Sequence, residues 1–188
     1  MWLSAGFAML MPAMLAGCSA LQGPSSIFDL GVSGNVAEPR SRVQVLVPEP
    51  TAVRALDTER IAARPSPSQY AYLPGAVWSD RLPKLLQARL VQTLQNSGKV
   101  RAAAVPGQGM LTDYQLVLDV RAFELTEEGA VVDFAVRLMD DRDGRVVRSR
   151  VFRYGVAVAS RDAANQVAAL DKARDLAFAD ITRWAFGG

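Results

Sequence analysis

Apolar and polar residues alternate most regularly in the second half of the chain. Tyr114, Leu116, Leu118, Val120 and Ala122 share one face, with Gln115, Asp119 and Arg121 on the other. Val132, Phe134, Val136 and Leu138 repeat the pattern, opposed by Asp133 and Arg137. A period of two marks a half-buried strand. Asp141-Arg142-Asp143-Gly144 then reads as a hairpin turn, because an Asp-Gly pair accepts positive φ, and a third strand follows over residues 145–158. Earlier, Arg42–Val47 alternates and is ended by Pro48 and Pro50, Glu59–Arg64 is a weaker strand, Pro65–Ser68 a turn, and Gln69–Leu73 a third short strand.

Two stretches carry the helical period instead. Leu82, Leu86, Leu90 and Leu94 recur at four-residue spacing, widened by Leu85 and Val91; such a stripe buries one helix face. Ser79 is the expected N-cap, Pro83 is early enough to be tolerated, and Gly98 suits a left-handed C-cap. Lys99–Ala104 reads as a short strand. A second helix over residues 162–186 places Val167, Leu170, Ala173, Ala177, Ile181 and Trp184 on one face. The order β–β–β–α–β–β–β–β–α predicts an α+β fold, a mostly antiparallel sheet with two long helices packed on one face.

The N-terminal end has a different character. Residues 7–16 are almost wholly apolar, and no charged side chain occurs before Asp29. The run has the length of a signal-peptide core and falls short of the ~20 residues a membrane-spanning helix needs. It ends in Leu15-Ala16-Gly17-Cys18, the pattern of a lipobox: small residues let the backbone enter the peptidase cleft, Leu15 fills an apolar pocket, and the thiol of Cys18 is alkylated as a thioether. Residues 1–17 are therefore expected to be a signal peptide and Cys18 the lipidated N-terminus of the mature chain. The n-region has no Lys or Arg, which fits a misassigned start codon or basic residues upstream. Ser19, not Asp, follows the cysteine, which in enteric-type sorting sends a lipoprotein to the inner leaflet of the outer membrane, facing the periplasm. Residues 18–41, rich in Gly, Ser and Pro, read as a lipidated flexible tether in which Ile27–Gly31 could dock as a short edge strand. Twenty-three such residues (19–41) span roughly 25 Å. Residues 42–188 are left as a single domain.

Composition narrows the chemistry. The 21 basic and 19 acidic residues nearly balance, giving a net charge of +2, so there is no electrostatic case for nucleic acid. The chain has no histidine and one cysteine, which excludes Ser–His–Asp and Cys–His catalysis and every His-containing zinc site. A serine–lysine pair would have to use Lys84, Lys99 or Lys172, none in a motif context. Asp140, Asp141, Asp143 and Gly144 lack the later Glu of a calcium loop, since position 150 is Arg. Glu124, Glu127 and Glu128 precede Gly129 and read as a solvated turn. No cofactor or metal is expected.

Three places suggest contact rather than catalysis. Trp78 either staples onto the first helix or meets a partner or lipid. Tyr70 and Tyr72 share a strand face, where sheet packing is expected. On the 145–158 strand, Phe152, Tyr154, Val156 and Val158 share one face while Val147 and Val151 fall on the other. A bulge that switches the inward face midway, cover on both faces, or contact with a partner or lipid would each explain this. Arg137 and Arg153, on polar faces of neighbouring strands, are expected near a subunit or partner surface.

A wider set of residues carries a family resemblance: the lipobox cysteine, Val43–Val47 with Pro48, Arg60-Ile61, Tyr70–Tyr72, Trp78 followed by Leu82-Pro83-Lys84-Leu85-Leu86, Leu94-Gln95-Asn96-Ser97-Gly98, the Leu116–Val120 strand and the helix closing at Trp184. The chain resembles the ABC-type transport auxiliary lipoprotein family, including the paraquat-inducible protein C group. It departs from the family where a tyrosine is expected near Ala63. The resemblance implies a non-enzymatic, periplasm-facing component of a system with an ABC ATPase, a permease and a mammalian-cell-entry (MCE) domain protein, moving phospholipids or other hydrophobic molecules between membranes. Homo-oligomers are left open. The alternative is a structural or assembly lipoprotein of the envelope or of a secretion apparatus.

Overall fold

The structure, a computed structural model, describes residues 26–32, 34, 37, 38 and 41–187. Cys18, its lipobox and the segment that follows lie outside the described residues. The fold is α+β: a nine-stranded, mostly antiparallel mixed sheet with two helices.

The long strands are those whose alternation is strongest: β7 (Tyr114–Leu125), β8 (Ala130–Asp140) and β9 (Val146–Val156), paired antiparallel in sequence order. β8 occupies one edge of β7. The other edge is shared by three short parallel partners in turn: β2 (Gln44–Leu46) at Tyr114–Gln115, β3 (Thr51–Ala52) at Asp119–Val120 and β4 (Arg60–Ser66) at Leu125. β6 (Ala102–Ala104) lies beyond β2, while β5 (Gln69–Trp78) and β1 (Ser26–Phe28) lie beyond β4. β1 is the docking expected near Ile27, and it leaves only residues 19–25 between Cys18 and the first strand.

The first helix, α1 (Leu82–Asn96), buries the predicted stripe: Leu82, Leu85, Leu86, Leu90 and Leu94 all have 7% or less of their surface exposed. The second, α2 (Ala163–Phe186), buries Val167, Leu170, Ala173, Ala177, Phe178 and Ile181. Asp162 caps α2 by accepting from the Asn165 amide at 3.0 Å. Between helices and sheet runs a file of rings, Trp78–Phe123–Phe134–Phe178, with successive centroids 5.9, 6.3 and 5.8 Å apart. Leu118 and Phe134, expected to face the helices, are 1% and 0% exposed.

The incoming chain is clamped between the two helices. Arg89 of α1 donates to the Leu30 carbonyl at 2.6 Å and to Asp29 at 2.5 Å. From α2, Asp171 accepts from the Gly31 amide at 3.1 Å and Arg174 donates to the Gly31 carbonyl at 2.9 Å. Leu30 is buried beneath these contacts.

Several local expectations need correction. Ser79 does not cap α1. β5 runs on to Trp78, and the Ser79 amide donates to the Phe28 carbonyl at 2.7 Å, so the helix begins after Arg81 without a side-chain cap. Residues 99–101 are turn, and β6 starts only at Ala102. Pro65 and Ser66 belong to β4 rather than to the turn. The bulge in β9 falls at Val147, where the β8 register steps from Arg148 to Val146, so it lies near the start of the strand. Gly98 does take the left-handed conformation expected of it, with φ +64°. A Cβ there would come within 2.7 Å of the Glu38 carbonyl oxygen.

Candidate functional site

The sheet face turned away from the helices gathers charge at a second irregularity. In β7 the register shifts between Val120 and Ala122. Before the shift, Leu116, Leu118 and Val120 point inward; after it, Phe123 and Leu125 do. Ala122 and Glu124 are thereby moved to the outer face, Ala122 directly opposite Asp133 of β8 and Glu124 diagonally beside it. Glu124 was expected in a solvated turn; it is instead a strand residue only 5% exposed, because the β4–β5 hairpin folds over it.

Arg64 of that hairpin holds Glu124, its Nε 2.6 Å from Oε1, and also donates to the Pro67 carbonyl at 2.7 Å and to the Tyr70 hydroxyl. Burial acts to lower the pKa of Arg64, but the bond to Glu124 and its charge outweigh that and raise it above the ordinary arginine value. The Tyr70 phenol is pushed above its usual value, by burial first and by the Glu124 charge second. Tyr70 and Tyr72, read as sheet-packing residues, each stack beneath a guanidinium: Arg64 lies 4.2 Å and Arg60 3.6 Å from the respective ring centres.

Asp133, 6% exposed, sits between two looser partners. Arg153 approaches Oδ2 at 3.6 Å and Arg121 approaches Oδ1 at 3.8 Å, both longer than a hydrogen bond. Among the described residues, Oε2 of Glu124 and Oδ1 of Asp133 are buried without a hydrogen-bond donor. A buried acceptor left unbonded costs about 1–3 kcal/mol, so both carboxylates retain capacity for a further donor.

The sequence-predicted site residues divide. Arg137 and Arg153 are both exposed on this outer face; four residues of strand separate the positions paired with them, about 13 Å along the sheet. Val147 and Val151 lie beside them, 44% and 49% exposed. Neither is covered by the described residues, and the other edge of β9 is unpaired among the described strands. Trp78 does not belong to the surface. It is a strand residue, 1% exposed, with its ring edge-on to Phe123 in the core cluster that also holds Leu82, Leu85 and Leu86 of α1, and so is not a surface contact. Arg64 and Asp133 were not singled out from the sequence as site residues, and Glu124 was weighed there only to be read as part of a turn. The adjacent apolar pair Ala122-Phe123, which breaks the alternation, is the signal that would have located the phase switch.

A second feature lies at the end of the sheet where β4, β7, β8 and β9 meet. An open trough of about 650 Å³ has Ala63, Ala71, Leu125 and Val158 among its walls and Glu127, Glu128 and Arg161 at its rim. Gly129 beside it has φ +144°, and a Cβ there would meet the Val156 carbonyl oxygen at 2.4 Å. Among the described residues no cluster of three His, Cys, Asp or Glu is placed to hold a metal ion, and no helix is long and apolar enough to cross a membrane. Two surface features therefore stand out: a basic and apolar outer face at one place and a small-walled trough at another.

Comparison with known proteins gives a consistent picture. The family model for the ABC-type transport auxiliary lipoprotein component matches residues 29–182. A crystal structure from Xanthomonas campestris is 30% identical and superposes with a TM-score of 0.78, covering 85% of this chain and 94% of that one. An uncharacterized protein of Bradyrhizobium diazoefficiens is 29% identical over 187 residues, covering 94% of this chain; the chain spans about half (49%) of that relative's length. A hypothetical protein from Chlamydia trachomatis, 12% identical with a TM-score of 0.54 over 78% of this chain and 97% of that one, shares the fold alone.

Proposed function

Because the chain belongs to the ABC-type transport auxiliary lipoprotein family, we propose that it is the anchored, non-enzymatic component of an intermembrane transport system that moves phospholipids or similar hydrophobic molecules. The observation that carries the reading is the family match across residues 29–182, joined to a lipobox ending at Cys18. The lack of histidine and the commitment of the one cysteine to lipid support a role without catalysis. Ser19 supports a place in the inner leaflet of the outer membrane.

The geometry bears on how such a component would work. Two or three acyl chains on Cys18 anchor stably, whereas one holds only marginally. From Cys18 to Ser26 the chain reaches at most about 27 Å even when fully extended. The domain therefore stays near the headgroups, and a partner from the inner membrane must cross most of the periplasm to meet it. An MCE-domain protein with its permease and ATPase is the partner proposed, and the outer face around Arg153, Val151 and Arg137 is the surface offered to it. In-frame deletion of the gene tests the role: the strain should become sensitive to detergents or organic solvents, and a wild-type barrier under those stresses would contradict the proposal.

A further inference from the structure

The strand register shows the end of the domain from which β1 starts. Ser26, Ile27 and Phe28 pair in parallel with Ala76, Val77 and Trp78, so the chain approaches β1 from the side of β5 that precedes Ala76. That is the side of Ala71. A row of register partners crosses the sheet there: Ala71 with Ala63, Ala63 with Leu125, Leu125 with Ala130, and Ala130 with Val156. The trough opens beside this row. With only residues 19–25 between Cys18 and Ser26, the anchor must sit within about 27 Å of the place where the chain enters this end.

The trough suits one kind of occupant. Its volume of about 650 Å³ falls inside the range of about 300–1,000 Å³ typical of small-molecule sites. Its walls include the apolar side chains of Ala63, Ala71, Leu125 and Val158, where an acyl chain would lose its water. Its rim carries both signs of charge, Arg161 against Glu127 and Glu128, all exposed. Those signs match a zwitterion: a phosphate to the guanidinium and an ammonium to the carboxylates. Arg64 also borders the trough, but its guanidinium is held by Glu124, Pro67 and Tyr70.

We propose that this trough takes an acyl chain of a glycerophospholipid with an ammonium headgroup, drawn from the membrane that holds the anchor, with Arg161 on its phosphate and Glu127 and Glu128 on its ammonium. The proposal rests on Cys18 being the lipid anchor and adds to that reading a site on the domain itself. The domain is then a lipid-receiving surface as well as a tethered adaptor.

The test uses the full-length protein in cells grown with radioactive phosphate. A photoreactive phenylalanine analogue is placed at Ala71 on the trough wall, at Ala159 on its exposed lining, or at Leu111, which is 88% exposed and precedes the opposite end of β7. A mature lipoprotein anchor is a diacylglyceryl thioether with an acyl amide and contains no phosphorus, so radioactive phosphate that joins the protein only on irradiation and is removed by phospholipase C reports a crosslinked glycerophospholipid. Label is expected at positions 71 and 159 and not at 111, and it should be lost when Ala157→Trp fills the exposed wall without lowering the melting temperature. Equal label at position 111, label that survives Ala157→Trp, or crosslinking of positions 71 and 159 to another protein would overturn the proposal. Fatty-acid labelling of the same samples separates the two readings: fatty acid without phosphate overturns the trough alone, while loss of both overturns the anchor and the trough together.

Discussion

The Arg64–Glu124 pair makes an asymmetric prediction. Glu124 is 5% exposed, whereas the Arg64 side chain is 26% exposed and has two further partners. Arg64→Met removes the charged hydrogen bond to Oε1 of Glu124 and leaves the Tyr70 hydroxyl as its neutral neighbour, while Oε2 has no donor among the described residues. Leaving a charge buried without its partner costs about 3–5 kcal/mol in a fully buried pair; partial exposure of this one reduces the expected cost to about 2–3 kcal/mol. Glu124→Gln keeps an acceptor for Arg64, which also retains Pro67 and Tyr70, and should cost only about 1 kcal/mol. At this chain length each kcal/mol corresponds to about 2–4 °C, so Arg64→Met should lower Tm by about 4–12 °C and Glu124→Gln by about 2–4 °C. In the double variant the neutral partner no longer needs a cation, so the loss should be smaller than the sum. Thermal unfolding followed by circular dichroism measures all three. Equal losses for the two single changes, or strict additivity in the double variant, would refute the claim that hairpin closure over Glu124 depends on this pair.

The remaining predictions bear on the anchor, the core, a turn and the outer face. Cys18→Ser should abolish fatty-acid labelling and leave unprocessed precursor, and unchanged labelling would show that another group is the acceptor. Ala substitution at Leu86, Leu90, Leu118 or Phe134, each 1% exposed or less, should cost about 2–5 kcal/mol, and undiminished melting temperatures would contradict the packing described. Asp141 accepts hydrogen bonds from Thr112 and Gln115, which depress its pKa. Its contribution to stability is present above the unfolded carboxylate value of about 4 and is lost as pH falls through the lower folded value, so Asp141→Asn should lower Tm at neutral pH and matter progressively less in acid. Joint charge reversal of Arg137 and Arg153 to Glu should leave the domain folded while weakening crosslinking to partners, and full complementation of a deletion strain would speak against that surface.

The architecture was legible wherever a periodicity was sustained. The alternation of β7 and β8 and the leucine stripe of α1 state their inward faces directly, because burial selects one residue in two or one in three to four. The pieces that escaped notice depend on distant neighbours. β3 is two residues long and exists because β7 has an unoccupied edge at Asp119–Val120. β5 continues past Pro74 and Gly75 to Trp78 by pairing with β1 and with Arg60, neither of which is close to it in sequence terms that mark a strand. Trp78 looked like a helix-entry residue because it stands just before α1; its place in the core follows from Phe123, brought inward by the bulge in β7. The same bulge moved Glu124 from an expected turn into the cluster with Arg64. The exposed arginines of the outer face were readable from polarity alone, but the burial of Glu124 was not, since the residue that holds it, Arg64, lies sixty residues away in the chain.

The central claim is that this domain, held at the membrane by Cys18, meets an MCE-domain protein of an ABC-type transport system. The most direct measurement is chemical crosslinking in intact cells, followed by solubilisation, purification of the lipid-anchored protein and identification of the chains joined to it. The account predicts an MCE-domain protein among the crosslinked partners, lost when Arg137 and Arg153 are reversed to Glu. Efficient crosslinking of the folded, lipidated protein that yields only envelope assembly or secretion components would contradict it.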